Sequence, residues 1–275
     1  MDPVVAILSW NIFMMPLGQS PENEARASAI AAAVRDQGYD VLCFQKAFDD
    51  SAREAIEQIL GDAYPHRYGP ANDGCSLLVN SDVWVVSRLP LSDYHEIEFK
   101  NRIDVEIFSK KGALMLSGPP NGARPLFQLI ATHLQGDDGP QFNPEAEAVR
   151  GKQLEQIRRE LIAPYAHPGV PIIFCGGFNI PRGTPGYQHM LRAFDADNGP
   201  GTRITLDDRP GINGLGENGG RVEELDYVLI ARHGAGVRGV WERRIFQRGG
   251  WDTERPERID LSYRYAVGAK FTFAE

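Results

Sequence analysis

Polar residues stand at the ends of several separate apolar runs in this 275-residue chain: Asn11, Lys46, His133, Asn179, Asp226 and Arg264. Their types are those of anion and proton chemistry. An ammonium and a guanidinium hold oxyanions, a histidine and a carboxylate move protons, and two asparagines supply amide donors and acceptors. Singly, each has a bland reading. A histidine such as His133 is more often a structural group than a catalyst, and Asn179, after Gly176 and Gly177, reads as a turn residue. Strand ends that converge on one rim, however, are where sheet proteins build a site.

The elements that must carry these residues are visible as runs. Strands are expected over 4–10, 39–44, 94–99, 105–108, 113–117, 126–131, 224–230, 240–247 and 265–273. Another apolar run, 76–87, is broken by Asn80-Ser81-Asp82. Helices are expected over 21–37, stopped by Gly38, over 51–60, capped by Asp49 or Asp50, over 143–161 and near 187–194. Ile172 to Gly177 reads as a buried strand ending in a tight turn, and 195–220 as a Gly-, Asp- and Asn-rich loop. Many strands with interspersed helices suggest two packed sheets with helices outside, in one domain over 1–275.

Composition narrows the partners. With 42% hydrophobic and 24% charged residues the chain can bury a large core, and its net charge of -8 argues against nucleic acid as a partner, although not against a local basic pocket. There is no run of 18 apolar residues to span a membrane. The first strand pattern begins at Val4, so the chain as written reads as cytoplasmic, or as secreted if a leader precedes it. Cys43, Cys75 and Cys175 are odd in number and lack Cys-x-x-Cys spacing, which disfavours a zinc site or a disulfide framework; Cys43 and Cys175 read as buried thiols.

Several stretches, over nearly the whole chain, resemble the motifs of the endonuclease/exonuclease/phosphatase superfamily and most closely its bacterial neutral sphingomyelinase branch. They are Ser9-Trp10-Asn11-Ile12-Phe13, Phe44-Gln45-Lys46-Ala47-Phe48-Asp49, Ser109-Lys110-Lys111-Gly112, Thr132-His133-Leu134-Gln135, Gly176-Gly177-Phe178-Asn179, Leu225-Asp226-Tyr227-Val228 and Asp260 to Val267. The resemblance implies an α/β (α+β) fold, a four-layer α/β/β/α sandwich of two mixed sheets of the DNase I type. It also implies phosphodiester hydrolysis with a divalent cation, usually magnesium, held by an acid and an asparagine, and water activated by a histidine paired to an aspartate.

Four positions depart from that pattern. Lys46 stands where the motif has a metal-binding acid, Gly177 where it has a second acid, and Tyr263-Arg264 where it has an Asp-His pair; no histidine follows His233. These replacements make the cleft more positive by roughly four to five units. Magnesium needs oxygen ligands with at least one carboxylate, so no metal cofactor is expected, and the first expectation is a non-hydrolysing relative. It would bind an anionic small molecule or phospholipid head group through Asn11, Lys46, His133, Asn179, Tyr263 and Arg264. A second expectation is a metal-independent phosphodiesterase or phosphatase with His133, Lys46, Asn179 and Asp226 as its catalytic set. Against the anion pocket stands a filled-cleft alternative in which Lys46 and Arg264 pair with Asp226 and Asp49. A third expectation is a scaffold that touches a membrane or a protein. Trp241, Phe246 and Trp251 on a hairpin over 240–255 would then meet the membrane, with core burial of these rings as the favoured alternative.

Overall fold

The computed structural model describes residues 2–16, 18–70, 80–137, 139, 141–232 and 236–274. Its organisation is set by alternation along the central strands. In β1 (Val4–Met14), Ala6, Leu8, Trp10, Ile12 and Met14 join a core against helices, while Val5 and Ile7 face a second sheet. A strand buried on both faces reads as a continuous apolar run, which is why Val4 onward carries no polar alternation until Ser9.

In chain order the elements are β1, α1 (Asn23–Val34), β2 (Val41–Ala47), α2 (Asp50–Leu60), β3 (His66–Tyr68), β4 (Trp84–Ser87), β5 (Ser92–Glu98) and β6 (Gly112–Ser117). The ribbon strands β7 (Pro120–Asn121) and β8 (Arg124–Pro125) follow, then β9 (Gln128–His133), α3 (Pro144–Ile157), α4 (Ala163–Tyr165), β10 (Ile172–Gly177) and α5 (Pro185–Phe194). The chain closes with β11 (Leu206–Asp207), β12 (Val222–Glu223), β13 (Asp226–Ala231), β14 (Val237–Arg244) and β15 (Ala266–Phe273).

Six strands form one sheet in the order β14-β15-β1-β2-β4-β3, and five form the other in the order β13-β10-β9-β6-β5. Each sheet is mixed: β1 runs parallel to β2 and β9 parallel to β10, while their other neighbours are antiparallel. Three apolar clusters separate four layers. One lies between α1, α2 and the six-stranded sheet, one between the sheets, and one between the five-stranded sheet and α3 and α5. This is the four-layer sandwich of two mixed sheets that the sequence resemblance implied.

Helix starts follow capping chemistry. Asp49 accepts from the Ala52 amide at the head of α2, Asn143 from Glu145 and Ala146 at α3, and Thr184 from Tyr187 at α5. The long helix expected over 143–161 is α3 continued by a π-helical turn over Arg158–Ile162.

Two expectations are corrected. The stretch 105–108 is not a strand; Asp104–Phe108 is a 3-10 turn, entered by Asp104 in left-handed backbone at φ 54°, and its apolar side chains face outward rather than alternating against a neighbour. No hairpin spans 240–255. β14 pairs along its length with β15, and the chain beyond returns through a single Gln247–Asp260 bridge. Trp251 is buried, Phe246 packs on Trp10 at 5.0 Å between ring centres, and Trp241 packs against the inter-sheet core, so these rings are core residues. Residues 76–79, which belong to an expected apolar run, and Cys75 lie outside the described residues.

Candidate functional site

The inter-sheet core ends in a polar row, and strand alternation puts it there. In β9, Leu129 and Ala131 face the core and His133 is the next residue on that face; in β10, Ile173 and Cys175 are followed by Gly177; in β13, Ile230 and Val228 are preceded by Asp226. Register aligns the three, since Gly177 sits opposite both His133 and Asp226. On the other sheet, Val5 and Ile7 are continued by Ser9 and Asn11, with Asn11 opposite Gln45 of β2.

Above this row opens a cleft of about 240 Å³ lined by Lys46, His133, Asn179, Tyr263 and Arg264 among others. Asn11 and Asp226 lie buried behind that lining. Asn11 Nδ2 reaches the Tyr263 hydroxyl at 3.4 Å, and Asp226 Oδ2 accepts from Arg264 Nη1 at 3.1 Å. Arg264 Nη2 also donates to Asn179 Oδ1 at 3.4 Å, and Asn179 Nδ2 donates to the Leu134 carbonyl at 2.9 Å. All seven residues offered by the sequence therefore gather at one place. Of the two acids of the filled-cleft alternative, Asp226 is paired, with Arg264 and not with Lys46. Asp49 pairs with neither cation; it caps α2 and accepts from Asn23 Nδ2 at 2.8 Å.

Lys46 makes no ion pair among the described residues. Its Nζ lies 5.1 Å from the centre of the Phe13 ring and 4.8 Å from that of Tyr263, whose π faces attract a cation. Burial pushes the Tyr263 phenol up, but Lys46 and then Arg264 outweigh it and hold the phenol below its ordinary value. For Arg264, burial opposes the charged form, and Asp226 and Tyr263 more than compensate, so the guanidinium stays charged. Phe13, Lys46, Asp82 and Asn179 all have left-handed backbone, with φ between 51° and 67°. Such residues cost of order 1 kcal/mol each and cluster where a site dictates side-chain direction.

Several site residues were not foreseen from the sequence. Asp82 is fully buried and its Oδ2 lies 2.5 Å from His133 Nδ1. The polar break Asn80-Ser81-Asp82 in an apolar run was its only signal. Arg26, wholly buried in α1, donates to the carbonyls of Ile12 at 2.5 Å, Leu261 at 2.9 Å and Phe13, clamping the end of β1 to the segment that carries Tyr263 and Arg264. Ser262 Oγ donates to the Asn11 carbonyl at 2.5 Å and Trp10 Nε1 to the Arg264 carbonyl at 2.9 Å, reinforcing the same junction. The lining also includes Asp104, Glu106, Asp137, Asp208, Glu217 and Arg221. Glu106 is paired with Lys111 at 2.6 Å and Asp137 with Arg150 at 2.9 Å. The lining thus carries charges of both signs, most of the acids paired to a cation or to backbone amides.

A sequence model of the Endonuclease/Exonuclease/phosphatase family matches residues 8–260. A sphingomyelinase C of Leptospira interrogans is 26% identical over 212 residues, covering 70% of this chain but only 37% of that protein's length. The structure of a sphingomyelinase C from Streptomyces griseocarneus superposes with a TM-score of 0.79 at 25% identity, over 99% of this chain and 100% of the other. A beta toxin mutant of Staphylococcus aureus with bound magnesium ions superposes at 0.83 and 19% identity, covering 100% of both chains.

Proposed function

The chain belongs to the endonuclease/exonuclease/phosphatase family, and from that membership we propose that its cleft binds a phosphorylated anion directly, through Lys46 and Arg264, rather than hydrolysing a phosphodiester with a metal ion. The observation that carries this reading is Lys46. Its ammonium lies between two aromatic rings in the cleft, without a carboxylate partner among the described residues, while Arg264 and His133 line the same cleft.

On this reading the donor set does not fit a magnesium ion. An ammonium roughly 4 Å from a dication is repelled by about 8 kcal/mol at an effective dielectric of 20, twice the unit-charge value. Asp226, whose carboxylate belongs to the polar row, has Oδ2 engaged by Arg264, which leaves only Oδ1 without a partner among the described residues. At Gly177 even a methyl group would lie 2.8 Å from His133 Cδ2 and 3.2 Å from Asp226 Oδ1, so a carboxylate there has no room without moving His133.

Calorimetry with inorganic phosphate and phosphocholine, each in EDTA and in magnesium, tests the proposal. Binding in EDTA that is lost in Lys46→Glu supports it. Binding that requires magnesium, or an affinity that Lys46→Glu leaves unchanged, sinks it.

A second reading is favoured by the His133–Asp82 contact. With Nδ1 engaged by a buried carboxylate, Nε2 can carry the lone pair that a general base needs, and Lys46 can stabilise developing charge. Turnover of a phosphoester panel in EDTA that disappears in His133→Ala would establish this activity; a panel left untouched rules it out.

A further inference from the structure

We propose that the free edge of β14 (Val237–Arg244) is a self-association surface, on which two copies of the chain pair antiparallel about a two-fold axis at Val240 and join their six-stranded sheets. The inference is independent of what the cleft binds.

A sheet edge exposes a row of amides and carbonyls, and folded proteins ordinarily blunt it. Three of the four outer strands of the two large sheets are blunted here. β3 has only three residues. β5 is interrupted by a register shift between Ser92 and His95, has left-handed backbone at Asp93, and carries the acids Asp93, Glu96 and Glu98. β13 is covered at Ile230, whose amide and carbonyl exchange bonds of 2.9 Å with Asp197. β14, by contrast, runs for eight residues in unbroken register with β15. The Ala274 amide donates to the Gly236 carbonyl at 2.8 Å, which sets the alternation along the pair. Arg238, Val240 and Glu242 therefore bond inward to β15, and the amides and carbonyls of Val237, Gly239, Trp241 and Arg243 point outward. That outward row meets no backbone partner among the described residues.

The side chains select the occupant. Val240 is 71% exposed, the most exposed large apolar side chain among the described residues. Arg238 and Glu242 flank it two residues away on either side, on the same face of the strand. A two-fold axis at Val240 places that residue opposite its own copy, and places each Arg238 opposite Glu242 of the second copy. Directly opposed apolar and opposite-charge pairs are what stabilise neighbouring antiparallel strands. Both charged groups are available. The side chain of Arg238 is 82% exposed, and its one ion pair among the described residues, to Asp2, is long at 3.8 Å. Glu242 is half-exposed; the Tyr39 hydroxyl donates to its Oε1 at 2.8 Å and Arg244 Nη1 stands 3.6 Å from its Oε2, which holds the carboxylate at the edge. Other registers oppose like charges. An axis at Trp241 sets Arg238 against Arg244, and one at Arg238 or Glu242 sets that residue against itself. The stretch Arg238-Gly239-Val240-Trp241-Glu242 is thus complementary to its own reverse, which points to a second copy rather than to an unrelated strand.

A contact one strand deep falls at the small end of specific interfaces, so the dimer is weak and dependent on concentration. Sedimentation velocity across a range of protein concentrations tests it. The wild type is expected to pass from monomer to dimer. Arg238→Glu and Glu242→Arg are each expected to weaken the dimer by about tenfold or more, because two attractions become two repulsions. An equal mixture of the two variants is expected to dimerise again, since acid then meets base at both positions. Val240→Lys changes an exposed side chain, sets like charges on the axis, and is expected to lose the dimer at an unchanged melting temperature. A wild type that stays monomeric to about 1 mM, the weak end of specific association, overturns the proposal. A dimer that survives Arg238→Glu and Val240→Lys lies on another face and overturns it too. Charge variants that remain monomeric when mixed refute the two-fold register, and the proposal with it.

Discussion

His133 Nδ1 lies 2.5 Å from Oδ2 of Asp82, and both residues are buried. Burial pushes the imidazole down more strongly than Asp82 lifts it, so His133 protonates below its ordinary 6.5. The unfolded chain takes up that proton near 6.5 and the folded chain does not. This group's contribution is therefore complete above the unfolded value and is lost as pH falls from there toward the folded one. Urea midpoints at neutral and mildly acidic pH should fall with acidification in the wild type and less steeply in His133→Gln. Equal slopes in the two proteins would remove His133 as the source.

Tyr263 and Lys46 form a second coupled pair. The phenol is held below its ordinary value by Lys46 and Arg264 despite burial. Lys46→Met should raise the pH at which Tyr263 ionises, read as phenolate absorbance in a difference titration against Tyr263→Phe. In the wild type this group adds stability as pH rises above its folded value and approaches 10, because the folded chain releases the proton first. No shift in Lys46→Met would show that the two charges do not communicate.

Gly177→Asp places an acid beside His133 and Asp226 but should not create a metal site. Its β-carbon would meet the His133 ring at 2.8 Å, and such overpacking costs about 1–3 kcal/mol. Thermal melts with and without magnesium are expected to show a less stable protein whose midpoint does not rise with the ion. A magnesium-dependent rise would show that His133 moves aside and the acid finds a cation.

Arg26→Ala should both destabilise the protein and loosen the site. The carbonyls of Ile12, Phe13 and Leu261 would lose a buried charged donor, at a cost of about 3 kcal/mol or more. Denaturation gives that figure, and calorimetry with phosphate below the melting range should show weakened binding. Arg26→Lys, which keeps the charge but not the fork, should recover only part of either effect.

The site residues were legible where strand periodicity carried them. His133 and Asp226 continue an apolar alternation by one step and Asn11 by two, past Ser9, so the end of each run marks them. Asp82 was visible only as a polar interruption, since it lies in irregular chain just before β4 and gains meaning only from His133 across the sandwich. The turn at 104–108 was misread because alternating apolar residues also describe a strand; the left-handed Asp104 and the hold on Glu106 are tertiary facts. Burial of Trp251 likewise depends on a core assembled from distant segments, which spacing alone does not encode.

The polar row at His133, Gly177 and Asp226 begins one position beyond the last apolar pair that seals the two sheets. Substitutions confined to that outer tier leave the seal intact. A scaffold of this kind can change the chemistry of its cleft without being rebuilt, and its overall shape alone is a poor guide to what the cleft holds.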